Sequence, residues 1–84
     1  MAEIIVTLEI DLQARMAASF VQVANRFESK IFLVKGSREI DAKSIMGVMS
    51  LGLRKGTEVF IRAEGKDAPE AIALLQNFLT QEEI

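Results

Sequence analysis

The chain has 84 residues, half of them hydrophobic, with 10 basic against 12 acidic side chains, no histidine and no cysteine. That length makes one domain, residues 1–84, with a core that closes by apolar burial and no room for a second. The absent cysteines exclude disulfides, thiolate metal sites and cysteine nucleophiles and suit a reducing cytoplasm, and the net charge of −2 gives no basic footprint for direct nucleic-acid binding.

The N-terminal stretch from Met1 to Glu9 carries no basic leader, and no apolar run approaches the roughly 18–20 residues that cross a bilayer. An unexported protein away from membranes is therefore expected. Ile4, Val6, Leu8 and Ile10 alternate with Ile5, Thr7 and Glu9, which predicts a first strand with one buried face. The spacing then becomes helical at Ala17, Phe20, Val21, Ala24 and Phe27, predicting a helix from about Ala14 to about Phe27 with Arg15, Gln22 and Arg26 toward solvent.

Ile31 to Val34 is a short β-branched and aromatic run, and Gly36-Ser37 marks a turn into a weak outer strand, Arg38 to Asp41. Ser44 precedes the apolar segment Ile45 to Leu53 and reads as the N-cap of a short helix. Ile45 and Val48, with Leu51 or Gly52, fall on one face of it; Met46, Met49, Ser50 and Leu53 fall on another. Only one face can meet the sheet, so the other either covers the open end of the core or is offered to a partner.

Glu58 to Glu64 alternates again, with Val59, Ile61 and Ala63 inward and Phe60 an apolar residue on the polar face. Asp67, Pro69 and Glu70 predict a capping box opening a last helix, whose buried stripe is Ala71, Leu74, Leu75, Phe78 and Leu79. Glu82 and Glu83 fall at its end. The order β-α-β-β-α-β-α predicts an α+β fold, an open-faced two-layer sandwich with helices on one side of a four-stranded sheet. A right-handed crossover makes strands one and two parallel and leaves the place between them for strand four as an antiparallel partner.

Catalysis has little to work with. Histidine, the usual acid or base near neutrality, is missing, and the carboxylates are scattered: Glu3, Glu9 and Glu28 read as solvated. The glycines form no phosphate loop, no residue set suggests a metal or cofactor, and Phe20, Phe27 and Phe78 sit at core positions of helices. A protein that is not an enzyme is expected.

Four stretches carry a family resemblance: Leu12 to Phe20, Ala42 to Leu51 with its Lys43-Ser44-Ile45-Met46-Gly47 run, Gly56 to Glu58, and Ala63 to Ala68. Together they resemble the HPr family, histidine-containing phosphocarriers of the sugar phosphotransferase system, over essentially the whole chain. The resemblance implies the same fold and places Gln13 where that family has its phosphorylated histidine. A glutamine amide has a delocalised lone pair and cannot accept and pass on a phosphoryl group as imidazole does. Gln13 together with a retained serine is similar to the Crh, or catabolite-repression, branch of the family.

By that resemblance Ser44 is the target of an HPr kinase/phosphorylase. The phosphoserine form then binds a lactose-repressor-type catabolite control protein as its corepressor. Arg15, Ile45, Met46 and Met49 would supply the contact surface. An N-cap position suits a phosphoryl group, whose charge of about −1.5 to −2 meets unpaired amides and the positive end of the helix dipole. The sequence departs from the family at Asp11, where glycine is usual, and at Met16, where proline is usual, so the approach to the first helix is built differently. Two other readings stay open: a phosphorylation-independent module that regulates a metabolic enzyme, and an atypical phosphocarrier. The resemblance also implies a monomer able to form a strand-swapped homodimer through its first strand.

Overall fold

The computed structural model describes residues 1–81, so Glu82 and Glu83 lie outside the described residues. Its elements follow the expected order: β1 (Ala2–Thr7), α1 (Ala14–Ala24), β2 (Lys30–Lys35), β3 (Arg38–Asp41), α2 (Ile45–Ser50), β4 (Glu58–Glu64) and α3 (Ala68–Leu79). The sheet runs β1-β4-β2-β3 with every pairing antiparallel, so β4 does lie between the parallel strands β1 and β2. Alternation dictates the two layers. Val6, Val59, Ile61, Ala63, Ile31 and Leu33 turn inward, while the residues between them face the other side.

Helices supply the rest of the core. Ala17, Phe20 and Ala24 of α1 and Ala71, Leu75 and Leu79 of α3 are all inaccessible to solvent. Phe20 meets Phe78 edge to face with ring centroids 5.6 Å apart, which joins α1 to α3. Small residues at 17, 24, 68 and 71 let these helices lie close to the sheet and to each other.

Several boundaries differ from the periodic reading. β1 ends at Thr7 rather than running to Ile10, although Leu8, Ile10 and Leu12 stay buried and Glu9, Asp11 and Gln13 exposed. The alternation persists because the segment remains extended, but its backbone leaves β4: Leu8 N–H donates to Thr57 O, Glu9 N–H to Leu79 O and Leu12 N–H to Leu53 O. α1 stops at Ala24, a turn short of Phe27, because Asn25 Nδ2 donates back to Val21 O and the next amides make tighter bonds to residues three back. In α3 the buried stripe includes Ile72, whereas Leu74 is 42% exposed and Phe78 only half-buried. The stripe is rotated because α3 contacts α1 as well as the sheet.

The predicted capping box does not form. Asp67 occupies the N-cap position of α3, but its side chain makes no cap hydrogen bond. Its carboxylate instead accepts from Glu28 N–H (2.8 Å), Ser29 N–H (2.9 Å) and the Ser29 hydroxyl, fastening the turn after α1 to the start of α3. These bonds, the Ser29 hydroxyl first and the Glu28 amide next, hold the Asp67 pKa below the usual carboxylate value. Gly65 belongs to the same junction. It has φ +148°, and a Cβ there would lie 2.6 Å from Ser29 Oγ, so a side chain would displace the clamp.

Candidate functional site

The two segments of interest are the start of α1 and the whole of α2, helices that pack against each other. Gln13 precedes α1 in an extended conformation, and its side chain makes no cap hydrogen bond to the first turn. Ala14 follows with φ +48°, a left-handed conformation that costs a residue with a Cβ about 1–2 kcal/mol. Sequence patterning gave no sign of this strain, because alanine is ordinarily the best helix former. Arg15 is exposed in the first turn, and Met16 packs its side chain against the core.

Asp11 does not turn toward Arg15. Its Oδ1 accepts from Lys55 N–H at 2.8 Å, tying the approach to α1 onto the loop before β4. The acid that the sequence sets near Gln13 is thus engaged in holding two loops together and leaves Arg15 clear of it.

Ser44 caps α2 as its position predicts: the hydroxyl oxygen accepts from Gly47 N–H at 3.1 Å. Just before it, Asp41 Oδ1 accepts from Lys43 N–H at 2.8 Å, shaping the turn between β3 and the helix. The other end of this six-residue helix is held by two cations that sequence reasoning did not assign. Lys35 Nζ donates to Leu51 O (3.0 Å), and Arg38 donates to Ser50 O (2.8 Å) and Ser50 Oγ (3.0 Å). Positive charge on the last carbonyls complements the helix dipole. The signal was legible only in the register, which places Lys35 opposite Arg38 across the hairpin.

Burial on α2 separates what the helical wheel left ambiguous. Val48 is fully buried and Leu51 nearly so, while Ile45, Met46 and Met49 are 40%, 78% and 47% exposed. Ile45 therefore joins the two methionines rather than Val48. Leu53, grouped with the outer face by the wheel, is fully buried, because the chain leaves the helix at Gly52 with φ +59° and turns inward. Three adjacent large apolar side chains facing water beside a capping hydroxyl make a surface suited to another protein. Among the described residues no cluster of three or more acidic side chains could hold a metal, and no helix is long and apolar enough to cross a membrane.

The chain belongs to the HPr family: the family model described as PTS HPr component phosphorylation site matches residues 1–81. It is 51% identical over 77 residues to the HPr-like protein Crh of Bacillus subtilis (strain 168), covering 92% of this chain and 91% of that one. The crystal structure of the phosphocarrier protein HPr from Bacillus anthracis str. Ames superposes with a TM-score of 0.91 at 43% identity, over 94% of this chain and 96% of that one. A Bacillus subtilis Crh crystal structure, a swapped and intertwined dimer, is 51% identical over 88% of this chain and 85% of its own, with a TM-score of 0.77.

Proposed function

We propose that this chain is a regulatory, non-enzymatic HPr-like protein of carbon catabolite repression, acting in the cytoplasm. An HPr kinase/phosphorylase transfers the γ-phosphoryl group of ATP to Ser44 Oγ, releasing ADP and the hydroxyl proton. The phosphoserine chain then serves as corepressor of a lactose-repressor-type catabolite control protein. The observation that carries this reading is the capping hydroxyl of Ser44 beside exposed Ile45, Met46 and Met49. Phosphorylation adds charge at the start of α2, where amides favour it, and the apolar side chains are already displayed. A basic pocket on the regulator takes the phosphate, Arg15 makes a charged contact, and the Ile and Met side chains are buried.

Gln13 has no role as a phosphoryl carrier in this account, since an amide is no substitute for imidazole. Mixing the chain with labelled Enzyme I tests that point: no label moves to it, and transfer would restore the phosphocarrier reading. The decisive binding test is titration of the regulator with phosphorylated chain, unphosphorylated chain and Ser44→Ala. Tight binding of the phosphorylated chain alone is expected, and equal binding of all three would overturn the proposal in favour of a phosphorylation-independent module.

A strand-swapped homodimer is part of the same proposal. β1 is an edge strand, bonded to β4 alone, so it can be exchanged without opening β2 and β3. Sedimentation of concentrated protein should resolve a species of twice the monomer mass; a monomer throughout contradicts the exchange.

A further inference from the structure

We infer that the open face of the sheet is a second docking surface, built for a basic amphipathic helix of a protein partner and independent of Ser44. Register aligns Ile5 of β1, Phe60 of β4 and Val34 of β2 in one row across three neighbouring strands. Ile5 is 51% exposed and Phe60 37%, on the face opposite the helices. Neighbouring strands lie about 4.8 Å apart, close to the roughly 5–6 Å that separates side chains three or four residues apart along a helix. A helix laid across the strands can therefore set successive apolar side chains along this row.

Charge decides what kind of helix. The next row reads Glu3, Arg62, Phe32 and Asp41, and on the other side Glu58 stands opposite Thr7. Arg62 is already committed: it pairs with Glu39 and lies over the Phe32 ring, 5.3 Å from its centroid. Lys30 stands opposite Glu64 at the end of the same face. Arg62 pairs with Glu39 and Lys30 is the register partner of Glu64, so by count three carboxylates are left over, Glu3, Asp41 and Glu58, flanking the apolar row on both sides; Asp41 Oδ1 accepts from Lys43 N–H but keeps its charge.

An apolar stripe bordered by uncompensated carboxylates fits leucine-like residues flanked by lysine or arginine. A second copy would bring the same excess negative charge to the contact, and an anionic lipid surface or a nucleic acid would be repelled in the same way. The alternative role of Ile5 and Phe60, stabilising the sheet as a cross-strand pair, would leave the border charges without consequence for binding.

The test is an amide-resolved NMR titration of the full unphosphorylated chain with a synthetic helical peptide carrying leucine on one face and lysine on the other. A matched peptide with glutamate in place of lysine is the control. Saturable, salt-weakened shifts centred on Ile5, Val34, Phe60 and Arg62 are expected with the lysine peptide alone. Ser44→Ala should bind equally, and Phe60→Thr, which keeps a strand-forming residue, should bind about tenfold more weakly. The inference is overturned if shifts fail to saturate, centre on Ile45 to Met49, or follow the glutamate peptide equally. The titration is run at a concentration where sedimentation shows monomer only; concentration-dependent shifts of Val34, Phe60 and Arg62 below that limit, without peptide, would overturn it in favour of face-to-face self-association. Because Ser44 plays no part, these outcomes are separate from those that decide the corepressor reading.

Discussion

Ala14 has a left-handed backbone at the start of α1, between Gln13 and Arg15. Glycine would remove a penalty of about 1–2 kcal/mol while adding roughly 0.5–1 kcal/mol of unfolded-state entropy. Ala14→Gly should thus raise stability by about 0.5–1 kcal/mol in denaturant unfolding, and a loss of stability would show that the strain is absent. Asp67 is the other residue whose role is local and measurable. Its pKa is lowered in the folded chain, chiefly by the Ser29 hydroxyl and the Glu28 amide. Its stabilising contribution is therefore complete above the unfolded carboxylate pKa, about 4. It falls away as pH drops toward the folded value. Asp67→Asn should lower the Tm near neutral pH and shrink the drop in Tm on acidification; an unchanged acid profile would contradict the clamp.

At the scale of elements, α2 is informative because six residues are too few to hold a helix by themselves. Its form depends on Ser44 at one end and on Lys35 and Arg38 at the other. Ser44→Ala should cost about 1 kcal/mol through the lost cap, whereas Ser44→Asn should cost little, since asparagine caps as well. The pair separates structure from signalling, because neither variant can be phosphorylated at a hydroxyl. Equal stability of Ser44→Ala and the parent chain would remove the cap from the account. Strong single-period signals made the strands, α1 and the Ser44 cap legible in the sequence. Where two demands competed, periodicity failed. Leu74 fits the α3 stripe by spacing but faces water, and Asp67 has the residue type of a cap but is drawn away by a turn 38 residues earlier. Such long-range partners leave no mark on local spacing.

For the whole molecule, topology was readable because the crossover rule and one apolar sheet face leave few arrangements, and β4 does fall between β1 and β2. The candidate site was legible in part. The serine and its apolar neighbours stood out by composition, but only burial could assign Ile45 outward and Leu53 inward. The fold carries an exposed α2 surface on one side and an apolar row with acidic borders on the other, consistent with a protein that works through contacts rather than chemistry of its own. The proposed function stands or falls with phosphorylation of Ser44. Intact mass after incubation with HPr kinase/phosphorylase and ATP tests it most directly, with Ser44→Ala and Ser44→Asn as controls. One added phosphoryl group is expected on the parent chain and none on either variant; an unchanged mass, or the same gain in the variants, would rule Ser44 out as the switch.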